Sequence, residues 1–254
     1  MHDIPVVILC GGRGIPVGDP PVRTPKALVR VAGEAMVCHV LRHYARAGFR
    51  RFILAAAAPL EPFAAALNAS FSARSSASGE LLVEIASAGC ALAVLDTGAS
   101  AATGDRILQV RAHLGPAEHF GVSYSDTLSN VDLALLARAH RGHERLGTLV
   151  GARVPTRFRI LGMRLGETLV RGFASRPVIL NDYINGGHYL FRRAVLEPPY
   201  LGGRDVGVIL ENEVLEALAA DEQLVSFPHE GSWQYLDAER HLPLLEAIAR
   251  SAHE

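Results

Sequence analysis

Ile4-Pro-Val-Val-Ile-Leu-Cys10, followed at once by Gly11-Gly12-Arg13-Gly14, is the stretch on which the fold turns. An unbroken apolar run of this length, closed by glycines, reads as a strand buried on both faces of a parallel sheet. A proline-rich loop follows to Pro25. From Glu34 to Ala47 the apolar residues Met36, Val37, Val40, Leu41 and Tyr44 fall at helical spacing, and Gly48 supplies a stop. "RFILAAA" from Arg51 reads as a second strand. Strand, Gly-rich loop, helix and strand in this order predict the βαβ unit of a doubly wound α/β sheet.

The pattern continues outward from there. Ser72–Gly79 is small and polar and reads as a surface loop. Leu81–Ala86 and Leu92–Asp96 read as strands, Ile107–His113 as a helix, and His119–Asp126 as a strand ending in a carboxylate. Ser129 with Asp132 three residues on predicts a capping box for a helix to about His143. "GTLVGARV" is the next strand. After Pro155 come short strand-like pieces, "FRILGMRL", "TLVRGF" and Ile184–Phe191, then helices over Glu211–Ala220 and Ala238–Ser251. No internal repeat is visible. The expectation is one unit over residues 1–254. A nucleotide-binding half takes about 1–150, and a β-richer half about 151–254.

Bulk properties bound the function. The chain has 254 residues, 49% hydrophobic and 20% charged, with a net charge of −1. That is enough to bury a large core, and it lacks the basic bias of nucleic-acid or membrane-surface binders. Cys10, Cys38 and Cys90 are odd in number and far apart, which points to neither a zinc site nor a disulfide framework. Reduced thiols and a cytoplasmic location are expected. The first apolar run lacks a preceding basic region and is too short for a signal peptide or a membrane span. A homo-oligomer is left open.

Four features could carry chemistry. Glycines at Gly11, Gly12 and Gly14 let backbone N–H groups approach an anion closely, and a helix N-terminus would add its dipole, although a Gly-rich turn is often only a turn. Lys26, in Val22–Val29 "VRTPKALV", is the sole lysine beside 24 arginines. Composition alone could explain it, or the position needs a compact point charge rather than a planar fork. Asp126 closes a buried strand, where open α/β sheets place ligand groups. Asp237 follows "WQYL" and precedes a helix, so it is either a cap or a ligand. Two carboxylates at element ends suit a Mg²⁺ site completed by phosphates and water.

These segments together resemble the sugar-1-phosphate nucleotidylyltransferases, and within them the glucose-1-phosphate cytidylyltransferases, over nearly the whole chain. "VVILCGGRG" looks like the family's opening strand and loop, and "PKALVRVAGEAMVCHVLRHYARAGFRRFIL" like its proline-lysine segment. "LDTGASAATGDRILQVRAHLG" resembles its D-T-G…T-G-x-R, and "VSYSDTLSNVDL" its metal-binding segment. "YINGGHYLF" resembles its sugar-binding W-I-N-G-G, and "EGSWQYLDAERH" its closing G-F-W-Q-x-M-D-T. The resemblance implies a Rossmann-like doubly wound mixed sheet of the nucleotide-diphospho-sugar transferase type, with a β-richer sugar-binding half. It implies attack of a sugar 1-phosphate on the α-phosphorus of a nucleoside triphosphate, CTP favoured, with Mg²⁺ and loss of pyrophosphate. By resemblance Gly11, Gly12, Gly14, Thr103 and Gly104 bind the nucleotide, Lys26 the phosphates, and Asp126 and Asp237 the Mg²⁺. Arg176, Asn185, Gly186 and Tyr183 would hold the sugar phosphate.

Two departures stand out. The family loop reads G-G-x-G-T-R-L, whereas this chain has Ile15 and Pro16 in place of the Thr and the catalytic Arg. Arg13 or Arg23 is the candidate replacement cation; otherwise the chain is a non-catalytic nucleotide or sugar-phosphate binder. The family's E-K-P, whose Glu contacts sugar hydroxyls, is here Ser175-Arg176-Pro177. With Tyr183 for Trp and His188 for Phe, this predicts a sugar other than glucose.

Overall fold

Pro5–Leu9 forms β1, with every residue buried. Its side chains alternate: Val6 and Ile8 enter one hydrophobic layer, Val7 and Leu9 the other, as the two-residue period of a strand requires. The computed structural model describes residues 1–75, 81–85, 88–153, 160–161, 173–174, 183–204 and 206–251. Among these, nine strands make one sheet. After β1 come β2 (Arg51–Ala56), β3 (Ser72–Ser75), β4 (Leu81–Ile85), β5 (Ala88–Asp96), β6 (His119–Tyr124), β7 (Gly147–Ala152), β8 (Ile184–Arg192) and β9 (Leu224–His229). Their order is β9-β7-β8-β6-β1-β2-β5-β4-β3. β6, β1, β2 and β5 run parallel. β8 is antiparallel to β6 and β7, and β9 is parallel to β7. The sheet is therefore mixed, and strands from both halves of the chain share it.

Helices cover both faces. α1 (Met36–Arg46) buries Val37, Val40, Leu41 and Tyr44 on one side, joined by α2 (Glu61–Ser70), α4 (Leu133–Arg141) and α6 (Leu242–Ser251). α3 (Thr103–Gln109) and α5 (Leu215–Ala220) pack Ile107, Leu215 and Leu218 on the other. Each such apolar side chain, fully buried, contributes about 1.5–3 kcal/mol.

Several expectations need correction. Ser129 does not begin a helix. Thr127–Ser129 pairs with Trp233–Tyr235 from far along the chain, and that ribbon holds the backbone extended until Asp132. Asp132 is the N-cap of α4, accepting from the Leu135 N–H at 2.7 Å. Ser72–Ser75 is a strand because it finds a partner in β4. Helix α3 starts earlier than expected and ends at Gln109, with a 3₁₀ turn over Arg111–Leu114. Leu210–Val214 is a wide π turn preceding α5, and Glu239–His241 a 3₁₀ turn preceding α6. The proline-rich loop contains a ribbon, Ile15–Val17 against Val22–Thr24. Helix α2 lies where the sequence predicts no element.

Candidate active site

In the sheet β1 has β2 on one side and β6 on the other. The chain runs from β1 to β2 on one side and later crosses from β5 to β6 on the other, and such a switch point opens a crevice beyond the carboxyl ends of the strands. Three bonds draw these ends together. The Cys10 N–H donates to the Ala55 carbonyl at 3.0 Å. Both the N–H and the hydroxyl of Ser125 donate to the Leu9 carbonyl, at 3.2 and 2.8 Å.

The glycine loop leaves from this point. Gly14 has φ +67°, and a side chain there would run into the Thr24 carbonyl. The loop and the 22–24 strand therefore approach as closely as glycine allows. Gly11 lies against the guanidinium of Arg106, so a Cβ there would also clash. Arg106 is buried and donates to the Ala56 and Ala99 carbonyls and the Thr97 hydroxyl. It buttresses the loop from below. Position-by-position reading missed it, although it is the Arg of the T-G-x-R segment. Cys10 beside it is no nucleophile, since burial pushes its thiol up to about 12. A cavity of about 720 Å³ opens beside the loop, lined by Gly12, Arg23, Thr24, Ala58, Phe63 and Ala99 among others.

Lys26 begins a short 3₁₀ turn after Pro25. Its Nζ donates to Asp126 Oδ2 at 3.1 Å and to Asp237 Oδ1 at 3.2 Å. Lys26 and Asp126 are half-buried and Asp237 is exposed. Burial alone would lower the Lys26 pKa, but the two carboxylates outweigh it and hold it above the ordinary lysine value. The 127–129/233–235 ribbon brings the two aspartates together, and the Leu236 N–H donates to the Asp126 carbonyl at 2.8 Å. Asp237 is not a helix cap: Ala238 precedes the next turn, with no side-chain capping bond.

The other expected residues divide. Arg23 lies over the loop, its Nη1 donating to the Arg13 and Gly14 carbonyls at 3.2 Å each. Arg13 is exposed. Thr103 and Gly104 turn toward the 208–211 segment instead. The Thr103 hydroxyl donates to Glu211 Oε2 and accepts from the Leu210 N–H, both at 2.8 Å, and the Gly104 N–H donates to the Val208 carbonyl at 2.8 Å. Asn185 and Gly186 lie on the ligand edge at the start of β8. Asn185 Oδ1 accepts from the Gly187 N–H (3.1 Å) and the Tyr189 hydroxyl (2.8 Å), which fixes the orientation of its amide. The Trp233 indole N–H donates to the Gly186 carbonyl at 2.9 Å. Tyr183 is exposed at the same edge. Ser175 and Arg176 lie outside the described residues.

His188 is not a sugar-site residue. It is buried beneath the sheet edge, its Nδ1 bonded to the Tyr44 hydroxyl (3.0 Å) and its Nε2 to that of Ser129 (3.1 Å). Burial lowers its pKa to about 3, so it is neutral. Among the described residues no helix is long and apolar enough to cross a membrane.

Residues 6–149 match the family described as the MobA-like NTP transferase domain. The chain is 27% identical over 248 residues to a glucose-1-phosphate cytidylyltransferase of Salmonella typhimurium, covering 95% of this chain and 94% of that one. It is 26% identical over 231 residues to the mannose-1-phosphate guanylyltransferase catalytic subunit beta of Drosophila pseudoobscura, covering 89% of this chain and 57% of that one. The fold matches that of HddC from Yersinia pseudotuberculosis complexed with GMP-PN, with a TM-score of 0.67 at 15% identity over 96% of this chain and 98% of that one. The chain belongs to the MobA-like NTP transferase family, as an enzyme of the sugar-1-phosphate nucleotidyltransferase type.

Proposed function

We propose that the protein joins CTP to a sugar 1-phosphate, giving a CDP-sugar and pyrophosphate. The observation that carries the reading is Lys26 held between Asp126 and Asp237 at the switch-point edge, within 3.2 Å of both. In the reaction a phosphate oxygen of the sugar 1-phosphate forms a bond to the α-phosphorus. The bond from that phosphorus to the bridging oxygen breaks, and its electron pair leaves on pyrophosphate. Such a step needs alignment and charge neutralisation rather than a protein nucleophile, in keeping with the protonated, buried Cys10. CTP is favoured by the likeness to a cytidylyltransferase across 95% of the chain.

The ammonium of Lys26 is itself a cation seated between two carboxylates. That is a fair stand-in for a metal, and hard oxygen donors suit Mg²⁺. Asp126 and Asp237 would hold it, with phosphate and water oxygens completing the shell. Among the described residues no group of three or more metal-binding side chains gathers. Mg²⁺ supplies charge neutralisation of the phosphates when bound. Lys26 then turns from the carboxylates to the phosphates, and the glycine loop presents its N–H groups to them.

Arg23 takes the place of the arginine the loop lacks. Pro16 lies directly opposite Arg23 in the 15–17/22–24 ribbon, and opposed residues of an antiparallel pair project on the same face. Arg23 therefore presents a guanidinium on the face where a residue-16 side chain would present one. It also lines the cavity beside Gly12. The test is pyrophosphate release over four nucleoside triphosphates and a panel of sugar 1-phosphates with Mg²⁺. CTP with one sugar should give the highest kcat/KM. Absence of release from every pair would refute the reading.

A further inference from the structure

At the far end of the same edge Tyr183 meets two side chains that no expectation above assigns, Arg153 and Glu230. Arg153 follows β7, Glu230 follows β9, and Tyr183 precedes β8. Pairing of Ala152 with both Ile184 and His229, together with a bond from the Arg153 N–H to the His229 carbonyl at 2.9 Å, brings them together. Arg153 Nη1 lies 2.9 Å from Glu230 Oε1, and Nη2 donates to the Tyr183 hydroxyl at 3.1 Å. The guanidinium stacks over the Tyr183 ring, 4.9 Å from its centre. The Tyr183 hydroxyl in turn donates to Glu230 Oε1 at 3.4 Å. One oxygen of Glu230 is thus held from two sides while the side chain stays 64% exposed.

The placement fits a sugar. β6, whose end leads to Asp126, is three strands from β9, or about 14 Å at the usual strand spacing, and the Glu230 side chain meets Arg153 and Tyr183 within that span. A sugar phosphate with its phosphate at Lys26 and its ring over Asn185 would present its far hydroxyls to Glu230. Glu230 is an acceptor-only group that can take two hydroxyl donors.

We infer that Glu230, positioned by Arg153 and Tyr183, is the carboxylate that recognises the sugar hydroxyls, and that the acceptor is a neutral sugar 1-phosphate. The inference rests on the transfer reaction proposed above. Arg153 cancels part of the charge of Glu230 and fixes its rotamer, so its planar fork matters more than its charge. A sugar with a second anionic group at that end meets a like charge and is rejected.

The test uses the full chain and the sugar 1-phosphate that the parent enzyme turns over best. Glu230→Gln and Glu230→Ala should raise its KM at least tenfold, with the KM for nucleoside triphosphate within twofold of the parent. A structural role would move both constants. Arg153→Lys should also raise the sugar KM. In addition, the parent enzyme should discriminate at least tenfold against one monodeoxy analogue of the sugar, and Glu230→Ala should lose that discrimination. A parental sugar KM in Glu230→Ala, or discrimination intact, overturns the inference while the transfer reaction stands. If the parent enzyme releases no pyrophosphate with any pair, the transfer reaction itself fails, and this inference with it.

Discussion

Removing the Lys26 ammonium should tighten Mg²⁺ binding in the nucleotide-free protein. Lys26 lies 3.1 and 3.2 Å from Asp126 and Asp237, so a divalent ion reaching these carboxylates competes with an ammonium already there. The gross attraction of one such pair is about 5 kcal/mol at an effective dielectric near 20. Desolvation, side-chain entropy and screening cut that to roughly 1 kcal/mol for a partly exposed pair. Two pairs then amount to about 2 kcal/mol, or about 30-fold in a binding constant. Lys26→Met keeps length and loses charge. Its Mg²⁺ affinity without nucleotide, read by calorimetric titration or by competition with Mn²⁺, should rise by about that factor. Its affinity for the Mg²⁺–nucleotide complex should fall, because the phosphates lose their cation. An unchanged or weaker Mg²⁺ affinity in Lys26→Met would mean that the ammonium and the metal do not share these carboxylates.

Four further outcomes are expected. Lys26→Arg should lose well over half of turnover despite keeping the charge, since the guanidinium is bulkier than the ammonium and its donors lie in one plane; kcat within about twofold of the parent would make the sole lysine an accident of composition. Asp126→Asn and Asp237→Asn should each abolish the Mg²⁺ dependence of nucleotide binding without altering the circular dichroism spectrum, and a variant keeping the full Mg²⁺ effect clears that aspartate of a metal role. Arg23→Ala should lower kcat at least tenfold, about 1.4 kcal/mol, with little change in nucleotide affinity, and adding Pro16→Arg with Ile15→Thr should restore it; parental kcat in Arg23→Ala rules Arg23 out. His140 and His188 are buried neutral and held near pKa 3, below the ordinary 6.5, so the unfolded chain takes up protons that the folded one refuses: stability should be full above pH 6.5 and fall toward pH 3 by up to about 1.4 kcal/mol per pH unit for each, and urea midpoints should show a flatter slope in His188→Phe.

What was legible in the sequence and what was not follows from the range of the interactions. β1 and α1 are written locally, as a buried apolar run and as a helical stripe, and both form as read. Ser129 satisfies a local capping rule that loses to pairing with Trp233, a contact made across the fold. Helix α2 escapes because its "EPFAAALNAS" offers only Phe63 and Leu67 as a buried pair, and alanine gives little contrast between faces. His188 looks like an altered sugar contact in a linear motif, yet the alternation of β8 turns it toward Tyr44 and the core. The family resemblance named Lys26, Asp126 and Asp237, but only the fold shows Lys26 within hydrogen-bond length of both aspartates, across 100 and 211 residues. The Arg153–Glu230 pair had no local signal at all.

If Arg23 replaces the missing loop arginine, as proposed above, a linear motif has misled about the chemistry. A motif records which position on one strand carries the cation. The reaction responds only to where charge stands in space. In an antiparallel ribbon, each residue shares its face with the one opposite, so positions 16 and 23 present their side chains to the same volume. A proline at 16 fixes its backbone and leaves that volume open. Arg23 spans back from the opposite strand to the Arg13 and Gly14 carbonyls, anchored at the mouth of the phosphate loop. Those two bonds, at 3.2 Å and exposed, go to neutral carbonyls, and a polyphosphate offers the guanidinium shorter, bidentate bonds between opposite charges. In the reaction proposed above, Arg23 would need only to swing from these two carbonyls to meet the phosphates.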